Sequence, residues 1–147
     1  MKIYLDTCCY GRPYDDQSQE KILQQSKAIL KIRGWCLKNG HTILGSVALE
    51  DEIGEITDIG KYNDILSFYR QSVTDTAYYV EAAFNHVEIL TQNVKIRTYD
   101  KLHLSFAVAA GADYLLTTDE PFEKACAKLS LSVRVVNPLK FILGGII

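Results

Sequence analysis

The chain is 147 residues long and sets 16 Lys and Arg against 18 Asp and Glu, a formal charge of −2. With 48% hydrophobic and 23% charged residues, it reads as one folded domain, 1–147, able to bury a core without disulfide or zinc staples. The near-neutral balance excludes a protein that holds nucleic acid by bulk positive charge, and no apolar run approaches the ~20 residues of a membrane span.

Asp6 interrupts the N-terminal apolar stretch too soon for a signal peptide, so a cytoplasmic protein is expected. Cys8, Cys9, Cys36 and Cys126 contain no C-x-x-C pair. His41, His86 and His103 are too scattered to complete a zinc site with these thiols.

In chain order, Lys2–Asp6 reads as an apolar strand closed by an acid. The loop Gly11–Gln19 leads into a helix over about Gln19–Lys38, stopped by Asn39-Gly40. Thr42–Leu44 is a second strand, and Ser46 can cap a helix running to about Ile56. A helix near Asn63–Gln71, a strand near Thr76–Val80 and a helix near Ala82–Asn93 follow. Tyr99–Ala110 is helical, with Gly111 at its left-handed cap. Tyr114–Thr118 is a buried strand, Pro121 opens another helix, and Val133–Val136 is the last strand before the apolar ending FILGGII. Strands alternating with helices predict an α/β fold, a three-layer α/β/α sandwich around a mainly parallel sheet.

Sites in such sheets lie beyond the carboxyl ends of strands. Asp6 and Asp119 sit there, although either can simply cap the helix that follows. In the helix after Ser46, Leu49, Ile53 and Ile56 define the buried stripe; at about 100° per residue Glu52 lies roughly 70° from its centre. Glu50, Glu55 and Asp51 point further away, so Glu52 is the acid aimed most nearly inward. Asp100 stands in the first turn of an almost wholly apolar helix, where the dipole favours it. His103, one turn on, reads as a hydrogen-bonded packing residue rather than a base. Should Asp6, Glu52, Asp100 and Asp119 converge, their repulsion calls for a cation. Oxygen ligands favour Mg²⁺ or Mn²⁺.

At these residues the sequence resembles the PIN-domain family of metal-dependent ribonucleases, which includes the toxins of many toxin–antitoxin modules. The resemblance rests on YLDTCCYGRP, GSVALEDEI and, most specifically, YDKLHLSFAVAAGADYLLTTDEPF, in that order along the chain. It implies a PIN-like fold and a metal site of Asp6, Glu52, Asp100 and Asp119, with Thr7 as a supporting hydroxyl. It further implies endonucleolytic cleavage of RNA, a homodimer and a small antitoxin protein as inhibitor. Lys101 departs from the small residue usual at its position. The alternative is a catalytically silent PIN-fold module that binds protein or RNA. A haloacid-dehalogenase-like phosphatase would need D-x-D where the chain has Asp6-Thr7-Cys8, and the paired acids of a receiver domain are missing. Arg12, Lys21, Lys31, Arg33 and Lys101 are candidate phosphate contacts. Tyr10 and Tyr14 can stack bases, though packing is the simpler role for each.

Overall fold

The computed structural model describes residues 1–147. It runs β1 (Lys2–Leu5), α1 (Thr7–Gly11), a 3-10 turn (Arg12–Tyr14), α2 (Glu20–Lys38), β2 (Thr42–Gly45), α3 (Val47–Gly54) and α4 (Ile59–Ser72). β3 (Asp75–Thr76), α5 (Glu81–Leu90), α6 (Thr98–Ala109), β4 (Tyr114–Leu116), α7 (Glu120–Cys126), β5 (Arg134–Val136) and α8 (Pro138–Leu143) complete it. No helix is long and apolar enough to cross a membrane.

The five strands form one parallel sheet in the order β3-β2-β1-β4-β5. Ile3, Tyr4 and Leu5 of β1, Ile43 and Leu44 of β2, and Leu115 and Leu116 of β4 are buried. Strands covered on both faces read as continuous apolar runs, and these do. Helices on both faces give the expected three-layer sandwich. The chain builds outward from β1 through β2 to β3, then returns to lay β4 on the other side of β1. The order therefore reverses between β1 and β4, the position at which open α/β sheets leave a crevice at their carboxyl ends. Asp6 follows β1 directly, and Asp119 follows β4 with Thr117 and Thr118 between.

Three local expectations are corrected. Thr76–Val80 is not a strand: only Asp75–Thr76 pairs, with Leu44 and Gly45. The partner strand ends there because Ser46 turns away to cap α3, its Oγ accepting from Leu49 N at 3.2 Å. Tyr78, Tyr79 and Val80 are consequently exposed. The Asn63–Gln71 helix begins four residues earlier, at Ile59, because Asp58 caps it through Lys61 N at 2.9 Å. Finally, the expected loop Gly11–Gln19 is not wholly irregular: Gly11 ends α1, which Asp6 caps through Thr7 N at 2.7 Å, and Arg12–Tyr14 form the 3-10 turn.

The glycine stops are as expected, with positive φ at Gly40 (69°) and Gly111 (68°). Gly45 has a different constraint. A Cβ there would meet Tyr69 Oη at 2.6 Å and Val73 Cγ1 at 2.8 Å. The apolar ending packs onto the body: Phe141 is buried, edge-on to Tyr114 at 5.0 Å and to Trp35 at 6.2 Å. Leu143 stays exposed.

Candidate metal and catalytic site

All four candidate acids line one cavity of about 320 Å³, together with Thr7, Arg12, Asp15, Lys61 and Arg97. They arrive from four places: the end of β1, the inner edge of α3, the first turn of α6 and the cap of α7.

Asp6 is buried and held from several sides. Its backbone N–H donates to Leu116 O at 2.9 Å, continuing the ladder to β4. Thr117 Oγ1 donates to Oδ2 at 2.8 Å, and Cys8 Sγ donates to the same oxygen at 3.3 Å. Asp119 caps α7 with Oδ1, which accepts from Phe122 N at 3.1 Å. Its Oδ2 meets Arg97 Nη2 at 2.6 Å. The capping reading was therefore correct for both residues, without removing either from the cavity.

Two groups divide the cluster. His103 Nε2 lies 2.7 Å from Glu52 Oε1 and 3.6 Å from Asp6 Oδ1. Arg97 bridges the other two acids, its Nε 3.1 Å from Asp100 Oδ2 and its Nη2 on Asp119. Arg97, Asp100 and Asp119 also line a second cavity of about 400 Å³, with Lys95 and Phe122 among others. The Arg97 side chain is 75% exposed.

His103 is the residue whose role the sequence understated. It is buried and hydrogen-bonded, as expected, but the ring joins the acids to the core. Nδ1 lies 2.7 Å from Tyr4 Oη, which lies 2.7 Å from Ser46 Oγ. Leu49 N already donates to Ser46 Oγ. One consistent proton order follows for the neutral ring: Ser46 donates to Tyr4, Tyr4 to Nδ1, and Nε2 to Glu52. Arg97 was missed altogether, although its position three residues before Asp100 on one helical face was a readable pairing signal.

The electrostatics are those of acids crowded together. Burial is the main cause that raises Asp100 from 3.8 to about 6, with repulsion from Asp6 adding and Arg97 opposing. For Glu52 burial works against ionisation, yet hydrogen bonding and attraction from His103 leave its pKa lowered. His103 is raised above 6.5: burial opposes the charge, but Glu52, Asp6 and Asp100 outweigh it. Fully ionised, four carboxylates against Arg97 leave 4 − 1 = 3 negative charges while His103 is neutral.

The grouping with metal-ligand spacing is Asp6, Glu52 and His103; Asp100 and Asp119 are not part of it and are engaged by Arg97 instead. One ligand atom each from Asp6, Glu52 and His103 fall within 4.8 Å of one another. Carboxylate oxygens with at most one imidazole nitrogen fit a hard divalent ion such as Mg²⁺ or Mn²⁺. Thr7 lines the cavity beside Glu52, whose charged form its hydroxyl favours.

Most of the other candidates lie elsewhere. Tyr10 is fully buried, edge-on to Phe68 and Tyr69, and Tyr14 packs edge-on to Phe68. Arg33 donates to Ser72 Oγ and Gln71 O, clipping α2 to α4. Lys21 pairs with Glu120, Lys31 is exposed away from the cavity, and Lys101 faces Glu88 at 4.0 Å rather than the acids. Arg12 alone of these cations reaches the cavity.

No protein-family model matches the chain, and no curated protein matches it in sequence. Among solved structures it is similar to a chain in the crystal structure of VapBC2 from Rickettsia felis bound to a DNA fragment from their promoter. That match has 16% identity and a TM-score of 0.57, covering 93% of this chain and 98% of the other. At that identity the likeness speaks to architecture: the two chains share an α/β fold over nearly their whole lengths.

Proposed function

We propose that this chain is a Mg²⁺- or Mn²⁺-dependent endoribonuclease with a PIN-like fold, the toxin of a cytoplasmic toxin–antitoxin pair. The observation that carries the reading is the meeting of Asp6, Glu52, Asp100 and Asp119 in one cavity at the strand-order reversal. The fold shared with a chain of VapBC2, a complex bound to promoter DNA in that crystal, supports a small antitoxin partner. A homodimer belongs to the same reading.

Asp6, Glu52, Asp100 and Asp119 would hold the ion, with His103 able to join them. When bound, a divalent ion acidifies water and neutralises charge on a phosphodiester. The protein supplies the rest. Thr117 and Thr7 N fix the Asp6 carboxylate, so its oxygens need no reorganisation. His103, anchored through Tyr4 and Ser46, holds Glu52 Oε1 by its Nε2 proton. Arg97 neutralises Asp100 and Asp119 from a mostly exposed position that leaves it free to swing out.

The test is cleavage of an end-labelled single-stranded RNA in millimolar Mn²⁺. Asp6→Asn and Asp100→Asn are expected to lose at least about 100-fold in rate, and excess chelator to stop the wild type. Substantial cleavage surviving either condition refutes the mechanism. The Arg97 bridge favours one competing reading, a silent binding module whose acids are permanently satisfied from within. Mn²⁺ titration separates them: no uptake at millimolar metal means a module.

A further inference from the structure

Resting on the nuclease reading, we propose that Arg12 and Lys61, tethered by Asp15, form a phosphate subsite that holds the RNA backbone beside the acidic cluster. The cavity has two chemically distinct linings. One is the four acids with Arg97 bridging two of them; the other is Arg12, Asp15 and Lys61. A polyanion cannot rest against carboxylates alone, and the overall charge of −2 supplies no general attraction. The grip must be local, and these cations are placed for it.

Their placement is built rather than incidental. Arg12 stands in the 3-10 turn, and its carbonyl accepts from Gln17 Nε2 at 2.9 Å, Ser26 Oγ at 3.0 Å and Asp15 N at 3.2 Å. Gln17 Nε2 also donates to Asp15 O at 2.9 Å, closing the turn. Lys61 comes from α4, far along the chain. Its Nζ meets Asp15 Oδ1 at 2.9 Å, while Arg12 Nη1 meets Oδ2 at 3.2 Å. Asp15 thus aligns two cations and neutralises one, leaving a net positive charge on that wall.

Donor capacity is left over. A guanidinium has five N–H groups in a planar fork suited to phosphate, and Lys adds three rotatable ones. Arg12 Nε is buried with no hydrogen-bond partner in the chain. A phosphodiester seated here would engage Arg12, leaving the neighbouring phosphate to face the acids. The volume, about 320 Å³, lies at the small end of ligand pockets, which suits single-stranded backbone rather than a duplex.

The test measures binding and turnover separately on the full chain. A fluorescein-labelled single-stranded RNA 12-mer is titrated in chelator across a salt series, and its cleavage is followed in Mn²⁺. Arg12→Gln and Lys61→Gln are each expected to weaken binding about tenfold. Each should also shrink the slope of log K against log salt by about 0.7. In turnover KM rises while kcat stays within about threefold. Lys61→Arg retains most of the affinity, Asp15→Asn binds more tightly, and Lys31→Gln, outside the cavity, matches wild type. Thermal melting shows whether each variant is folded. Should the Arg12 and Lys61 variants bind with wild-type affinity and salt slope, the triad is only a tether between two segments, and the subsite is refuted. Wild-type binding that depends on both cations without metal-dependent cleavage sustains the subsite and removes the nuclease. Normal cleavage with unchanged KM in both variants does the reverse.

Discussion

Asp100 offers a direct measure of what the acidic cluster costs the fold. A buried carboxylate raised from 3.8 to about 6 binds its proton more tightly folded than unfolded. The sign follows from linkage: relative stability is fully present below the unfolded pKa and is lost as pH rises through the folded one. A shift of about two units corresponds to roughly 3 kcal/mol of destabilisation above pH 7, developing between about pH 4 and 6. The side chain is 6% exposed, so solvent screens little of it. Asp100→Asn keeps the shape and an acceptor for Arg97 but cannot ionise. In chelator it is expected to be about 3 kcal/mol more stable than wild type at pH 7.5, with the gap closing toward pH 4. Urea denaturation at half-unit pH steps reads this difference directly. With saturating Mn²⁺ the order should reverse, since wild type gains a ligand that the variant has lost. A gap independent of pH, or a variant less stable than wild type in chelator at pH 7.5, refutes the electrostatic account.

Arg97→Gln removes the internal cation from Asp100 and Asp119; calorimetry should show Mn²⁺ binding at least about fivefold tighter, with lower stability in chelator. Tyr4→Phe breaks the chain between Ser46 and His103, leaving buried partners unpaired, and should cost about 1–3 kcal/mol in urea denaturation. Gly45→Ala drives a methyl against Tyr69 and Val73 and is expected to lower stability by about 1–3 kcal/mol in the same assay; an unchanged midpoint would show that this approach relaxes freely.

The parallel α/β architecture was legible because buried strands announce themselves as apolar runs: IYL, TIL and YLL occupy β1, β2 and β4. Thr76–Val80 deceived for a physical reason. TAYYV has strand composition, but pairing needs a partner backbone, and β2 has already ended at Ser46. The acids were legible from strand ends and helical phase. Of the cations on the same cavity, Arg97 was readable from its spacing to Asp100, whereas Lys61, which pairs with Asp15 46 residues away, is an ordinary surface cation until tertiary structure brings it there. His103 was half legible: its position over Asp100 was plain in the helix, whereas its link to Glu52 spans 51 residues and no local pattern encodes it.

Two of the four candidate acids are also part of the framework, which offsets part of the cost of crowding them. Asp6 and Asp119 start α1 and α7, and Ser46 starts α3 while ending the relay to His103. A helix cap is worth about 0.5–2 kcal/mol, so the two acids recover locally part of what their crowding costs. Asp100 has no cap to make; it relies on Arg97 and the dipole of α6. Of the four it should therefore be the carboxylate most sensitive to pH and to metal, and the one whose neutralisation separates stability from activity most cleanly.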